Sequence, residues 1–417
     1  FSNQITKPST AIERCGEGHL FSVFVARKSS NSGNDWLIIT EGDTNKEVWR
    51  VDLGQVSNKG VKSTPIIYDL DSDGSLEVIV AFDTNSGLTI EVWSPEISCS
   101  DSGWQIDGHT NEVLWSLTDP DYKLEAPNLF LNNGHAPTTQ ALLADLEMDG
   151  SPEIVVTAIN VNSENPTVLA IPIVAQGPPD SLWEVELDRG THPSDPTWVA
   201  LDEQNSAILV TTIDSNNGNM WAWRISGSTG SLDWDGLSLG TPDGDTNTPH
   251  IRLPGPVILE LDGDSSPEVL FTVPSDFDGS SNADGASYHA WELTDSSEIW
   301  SFRAQTGFAD APPLPIDRDS DGIHESVCWI TWYLDGTFGL DRHAKVGCHE
   351  VLDGSPDQTW INSINYEGNV PNEGIAVAQP IAMDLDGAGA PEIIIAYGNM
   401  LIDFDGDSGF KNEHWDN

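Results

Sequence analysis

One segment recurs along the 417 residues: a short apolar strand, an acidic turn, then a second apolar strand. It appears as TPIIYDLDSDGSLEVIVAF from Thr64, QALLADLEMDGSPEIVVTA from Gln140 and PVILELDGDSSPEVLFTV from Pro256. It returns as PPLPIDRDSDGIHESVCWI from Pro312 and QPIAMDLDGAGAPEIIIAY from Gln379. Two degenerate copies fill the gaps: TWVALDEQNSAILVTTI from Thr197 keeps the strands without the acids, and STAIERCGEGHLFSVFVA from Ser9 keeps scattered acids. With Asp69 as phase zero, the copies start near 13, 69, 145, 200, 260, 317 and 384. A second marker keeps the same count. A Trp follows a turn late in each unit, at Trp49, Trp115, Trp183, Trp234, Trp300, Trp360 and Trp415. A repeat of this length means that each unit cannot bury its apolar faces alone and must stack on its neighbours.

Each unit holds about four strand-like stretches. In the second these are PIIYDLD, LEVIVAF, LTIEVWS and EVLWSL. Short runs rich in β-branched and aromatic residues, without long stretches of 3.6-residue period, predict an all-β chain. Four strands per unit of roughly 60 residues, seven times over, predict a seven-bladed β-propeller; a linear β-solenoid is the second choice, but its coils are shorter. The expected blades span about 9–57, 58–120, 138–190, 195–240, 254–306, 311–365 and 378–417, with residues 1–8 as an N-terminal extension or linker.

The pattern DxDxDGxxE between two apolar strands resembles the FG-GAP/VCBS repeat of integrin α-subunit propellers and many prokaryotic surface proteins. The likeness spans essentially the whole chain. It implies a calcium-loop blade but no single biological role, because the family includes adhesins, lectins, toxin-associated proteins and lyases.

The chemistry of the turn also follows from its spacing. In the first loop, Asp69, Asp71 and Asp73 stand at alternate positions and converge when the chain curls around a cation. Gly74 permits the bend, the carbonyl of Ser75 faces inward, and Glu77 closes the shell from the next strand. Hard oxygen ligands in a flexible cage suit Ca²⁺ better than Mg²⁺ or Zn²⁺. The same pattern gives Asp145, Glu147, Asp149, Ser151 and Glu153, and then Glu260, Asp262, Asp264, Ser266 and Glu268, with Ser265 in place of the glycine. The fourth set is Asp317, Asp319, Asp321, Ile323 and Glu325; the fifth is Asp384, Asp386, Ala390 and Glu392, where Ala388 removes one ligand. Four to five Ca²⁺ sites are expected. The competing explanation is a set of solvated acidic β-turns, since Asp and Gly favour turns in any case.

The formal net charge is −50, from 67 acidic and 17 basic residues. A field of that sign repels phosphates, which excludes non-specific nucleic-acid binding, and it disfavours anionic lipid. The loops account for only part of this charge, so the surface is expected to be acidic, as suits a prokaryotic protein of a marine or saline habitat. There is no run of 18 apolar residues, so no insertion into a membrane is expected. No Asn-x-Ser/Thr sequon occurs without an intervening Pro. The opening FSNQITKPST is polar and lacks a start methionine, which predicts processing or excision from a longer chain.

Cys328 and Cys348 bracket a strand–turn–strand centred on DGTFG, so their sulfurs should face each other across a hairpin. By elimination Cys15 pairs with Cys99. Two disulfides would place the protein in an oxidising, extracellular or cell-surface setting.

Other candidates are weaker. The 16 Trp could stack on sugar rings, but seven follow the blade period and are expected to pack between blades. Trp36, Trp104, Trp198, Trp221, Trp223, Trp291, Trp329 and Trp332 remain open to such a role. Asp276, Asp278 and Asp284 mark either an extra cation loop or a solvated turn. There is no GxSxG, HExxH or phosphate-binding loop, and the 10 His are scattered. The expected function is therefore a non-enzymatic extracellular propeller for adhesion or for a surface or filamentous assembly. Its partners would be other protein subunits, further copies of itself, or surface glycans. The alternative is a carbohydrate-active propeller, either lectin or polysaccharide lyase.

Overall fold

The computed structural model describes residues 10–14, 19–27, 35–41, 46–54, 63–70, 76–95, 97–100, 103–106, 112–124, 140–173, 181–214, 218–240, 253–264, 266–274, 285–304, 307, 309, 311–319, 321–335, 341–351, 356–365, 379–385, 391–397 and 400–411. Every regular element among them is a β-strand, and every pairing is antiparallel between strands close in sequence. The chain forms two compact units, one built mainly of Phe1–Pro127 and Thr138–Asp188, the other mainly of Arg189–Gly227 and Ser231–Asn417.

The first unit holds three sheets. The first runs Thr10–Arg14, His19–Arg27, Asp35–Glu41 and Lys46–Asp52, in that order. The second runs Ile66–Tyr68, Glu77–Thr84, Gly87–Ser94 and Glu112–Asp119. The third runs Leu142–Ala144, Glu153–Asn160, Pro166–Pro172 and Trp183–Glu186, with Tyr122–Lys123 added beside its second strand. The four stretches expected of the second unit are its four strands. A separate hairpin, Ile97–Ser100 with Gly103–Ile106, interrupts it and was not expected.

The second unit holds four sheets. These are Thr197–Ala200, Ser206–Ile213, Met220–Ser226 and Leu232–Gly240, with His192–Pro193 added beside the second strand; Val257–Leu259, Glu268–Val273, Ser287–Glu292 and Glu298–Arg303; and Leu314–Ile316, Ser326–Asp335, Asp341–Glu350 and Asp357–Asn365. The last has three strands among the described residues: Ile381–Met383, Glu392–Tyr397 and Met400–Asp405.

The second strand of each sheet explains why the sheets stack. Alternate residues point to opposite faces. From Glu77–Thr84, Val78, Val80 and Phe82 join the core shared with the first sheet, while Ile79 and Ala81 join the core shared with the third. In the second unit, Val269 and Phe271 pack towards the preceding sheet and Leu270 towards the following one. Both faces are covered, so these strands read as continuous apolar runs rather than alternating ones.

The periodic Trp residues are packing residues. Trp49, Trp115, Trp183, Trp234, Trp300 and Trp360 each lie in the fourth strand of a sheet and are at most 8% exposed. Five of them directly follow an unpaired residue: Trp49 faces Ile39 but Glu47 faces Thr40, which leaves Val48 bulged. The same slip precedes Trp115, Trp234, Trp300 and Trp360. A bulge re-aims the side chain that follows it. The next turn leaves room for the ring. A Cβ on Gly230 would lie 2.8 Å from Trp183, and one on Gly409 would lie 2.4 Å from Trp360. Both glycines are left-handed, at φ +69° and +67°. Of the other Trp, Trp223 and Trp329 are fully buried, which removes them as sugar-stacking surfaces.

Cys328 pairs with Cys348 in register and forms a disulfide, as the hairpin symmetry requires. Cys15 lies outside the described residues, as do residues 1–8 and the acids Asp276, Asp278 and Asp284. No helix among the described residues is long and apolar enough to cross a membrane.

Candidate metal centres

Each acidic loop joins the first strand of a sheet to the second, and one hydrogen bond recurs in all five. The backbone N–H at loop position two donates to the glutamate at position nine. The pairs are Leu70 to Glu77 at 2.9 Å, Leu146 to Glu153 at 2.9 Å and Leu261 to Glu268 at 2.7 Å. Arg318 to Glu325 at 2.7 Å and Leu385 to Glu392 at 2.6 Å complete the set. Four of these glutamates open the second strand, and Glu77, Glu153, Glu268 and Glu392 are at most 4% exposed. A buried carboxylate normally requires partners for both oxygens.

The third and fourth loops bring their acids together. In each set, Glu260, Asp262, Asp264 and Glu268, and Asp317, Asp319, Asp321 and Glu325, one carboxylate oxygen from every residue lies within 4.8 Å of the others. Oxygens about 2.3–2.6 Å from a common cation meet that spacing. The backbone shapes the cage. Asp317 accepts from the N–H of Asp321 at 3.3 Å and of Gly322 at 2.8 Å, and Asp321 accepts from Ile323 at 2.9 Å. Gly322 is left-handed at φ +97°, as the bend at position six demands. In the third loop Gly263, at position four, is left-handed at φ +75°, and Glu260 accepts from its N–H at 2.8 Å.

Glu268 tests whether a cation fits. It is 1% exposed, and its second oxygen, Oε1, is buried without a hydrogen-bond partner. Burial first, then repulsion from Glu260, Glu292 and Asp262, pushes its carboxyl up to about 7. A cation held by this set would give the orphaned oxygen a partner and offset the repulsion. Glu153 is pushed up for the same reasons, burial first and then Glu147, Asp145 and Asp149. The all-oxygen donor set suits a hard cation such as Ca²⁺.

The second loop does not converge in this way. Asp145 is spent as in the fourth loop, accepting from Asp149 at 2.9 Å and Gly150 at 2.8 Å, and Asp149 accepts from Ser151 at 2.8 Å. Its third position is Glu147, one methylene longer than Asp262 or Asp319 and exposed. Asp145, Glu147, Asp149 and Glu153 are thus near one another without the shared spacing of the other two sets. In the first loop Asp69 and Glu77 are described, while Asp71, Asp73 and Ser75 lie outside the described residues. In the fifth, Asp384 and Glu392 are described, and Asp386 and Ala390 are not.

Two histidines that sequence reading left unassigned are core residues. His349 accepts from Trp329 Nε1 at 3.0 Å and stacks on Phe302 at 3.9 Å between ring centres. Burial lowers it to about 4, and burial lowers His192 to about 4 as well. Both are neutral packing groups at physiological pH.

No protein-family model matches the sequence, and no curated protein matches it. Among solved structures, the C-terminal domain of Pseudomonas aeruginosa PilY1 aligns with 88% of this chain and 89% of its own at TM-score 0.51 and 9% identity. A europium-containing methanol dehydrogenase aligns with 93% of this chain and 81% of its own, at TM-score 0.49 and 9% identity. Rhamnogalacturonan lyase YesW aligns with 98% of this chain and 75% of its own, at 0.48 and 12%. The PilY1 likeness, with the repeated antiparallel sheets, makes the fold a β-propeller.

Proposed function

We propose that this chain is an extracellular calcium-binding propeller of the FG-GAP/VCBS type, without a catalytic role, that serves adhesion or builds a surface assembly. The observation that carries the reading is Glu268. A buried carboxylate with one orphaned oxygen, inside a set of four convergent acids, is costly unless a cation belongs there. The same closing bond in five loops makes this a property of the repeat rather than of one turn. The buried Cys328–Cys348 disulfide supports folding in an oxidising compartment.

Light scattering of the purified chain in millimolar Ca²⁺ and in EDTA tests the role, beside retention on immobilised acidic polysaccharide. Calcium-dependent self-association, or binding to a protein-coated surface, is the expected result. Calcium-dependent retention on polysaccharide with a monomeric chain, or release of an unsaturated sugar product, would replace the proposal with the carbohydrate-active alternative.

A further inference from the structure

The third and fourth loops touch, and the hydrogen bonds between them run through one residue. His324 is position eight of the fourth loop, between Ile323, whose carbonyl the loop pattern assigns to that cage, and the closing Glu325. Its backbone N–H donates to the carbonyl of Glu260 at 2.7 Å. Its imidazole Nδ1 accepts from the backbone N–H of Glu260 at 3.0 Å. Glu260 is the first acid of the third loop. Both polar groups of that peptide segment are therefore held by one histidine of the neighbouring sheet. Ile323 adds a steric contact, because its Cδ1 lies 3.3 Å from where a Cβ on Gly263 would stand.

We propose that the third and fourth loops bind their cations cooperatively, with His324 as the positioning residue that couples them. The proposal rests on the metal reading above and goes beyond it. When the fourth loop closes, Ile323 and Glu325 are drawn into one arrangement, and the backbone between them has no freedom left. His324 then fixes the Glu260 main chain, which places the Glu260 carboxylate in the third cage. Ordering cost met at one loop is not met again at the other, which is positive cooperativity. Coupling between binding sites is reciprocal, so each loop must change the affinity of the other by the same factor.

The test uses the full chain and calcium alone. Hydrogen exchange of peptides covering 257–270 and 314–327 is followed through a Ca²⁺ titration, giving a midpoint for each loop. Glu325→Gln disables the fourth loop and should weaken the third by about fivefold or more. Glu268→Gln should weaken the fourth by the same factor. His324→Ala should weaken both and erase any further effect of Glu325→Gln. His324→Asn keeps an acceptor at the position of Nδ1 and should restore the coupling, which a merely structural loss would not do. Asp319→Asn, at an exposed position, replaces Glu325→Gln if that variant does not fold. A third-loop midpoint within twofold of the intact chain when the fourth loop is disabled overturns the coupling alone. Absence of calcium-dependent protection in both peptides of the intact chain overturns the metal reading and the coupling together.

Discussion

The same joint between first and second strands is built in two ways in adjacent sheets. In the fourth sheet it is Leu201–Asn205, and it closes on itself. Leu201 N–H donates to the Asn205 carbonyl at 2.8 Å, and Asp202 accepts from the N–H groups of Gln204 at 2.7 Å and Asn205 at 2.9 Å. The Asn205 side-chain amide donates to both oxygens of Asp202, at 3.0 and 2.8 Å. That amide, with the backbone donors, holds Asp202 below the usual carboxylate range. In the fifth sheet the joint is longer and carries four acids, and Glu268 ends it with an orphaned oxygen. Where Glu268 opens its strand, the fourth sheet has Ser206. The strands therefore need no acids to meet. Like charges within 4.8 Å repel by roughly 3 to 4 kcal/mol per pair at an effective dielectric of about 20. The two sets are thus not needed to join the strands, and the four acids of each could hold a cation.

Chelation breaks the comparison most severely. Each saturated site adds about 2.7 kcal/mol at a hundredfold excess of free ion over its dissociation constant. In EDTA the melting temperature should fall, and exchange protection should drop around 257–270 and 314–327 while 197–213 keeps its own. An unchanged melting curve, or equal loss in the fourth sheet, contradicts the division between ion-closed and self-closed joints.

Glu268→Gln sharpens it through a reversal of sign. The folded carboxyl titrates at about 7, above its ordinary 4.5. The folded state then holds the proton more tightly than the unfolded one. The stability this contributes is complete below pH 4.5 and is lost as pH rises through 7. In EDTA the native protein should lose up to roughly 2 to 3 kcal/mol across that window. The Gln variant should lack this loss and be more stable than the parent at pH 8. In saturating calcium the order should invert, because the variant has lost a ligand. Melting curves at pH 5 and 8, with and without the ion, decide it; a variant that is weaker in all four conditions shows a carboxylate with no repulsion to relieve.

These joints also show what the sequence could reveal. The sheets were legible because their second strands bury both faces and so read as apolar runs. The disulfide was legible because hairpin symmetry places Cys328 opposite Cys348. The spacing marked the position-nine glutamates as loop-closing residues, but not the hydrogen bond each accepts from the N–H at position two. Three further features were not legible. The hairpin at Ile97–Ser100 and Gly103–Ile106 is too short to have a period. The bulge before five of the periodic Trp depends on cross-strand register, which the turn lengths do not fix. The His324 bridge joins residues 64 positions apart, and one histidine among 10 scattered copies carries no pattern.

Asp202→Ala probes the self-closed joint from the other side. It removes an acceptor serving two backbone N–H groups and the Asn205 amide, all solvent-exposed, so the melting temperature should fall only slightly. The decrement should be the same in calcium and in EDTA. A calcium-dependent decrement would mean that this turn also takes part in ion binding.

The smallest effect is expected from Glu147→Asp, which asks why the second loop does not gather its acids. Position one is spent identically in the second and fourth loops, on two backbone N–H groups each. Position six is a left-handed glycine in both, Gly150 at φ +91° and Gly322 at φ +97°. Position nine is held by the same hydrogen bond from position two. Position three differs, Glu147 against Asp319, and position four of the second loop is a left-handed Met148 at φ +55°. The Glu147 side chain is one carbon longer and exposed, and its set lacks the shared spacing that the set of Asp319 has. Shortening it should lower the calcium midpoint of a 142–156 peptide a few-fold, a gain of under about 1 kcal/mol. The affinities of the third and fourth loops should not move, since the substitution lies in a different sheet from either. An unchanged midpoint for 142–156 would show that the length of residue three is not what separates the second loop from the convergent pair.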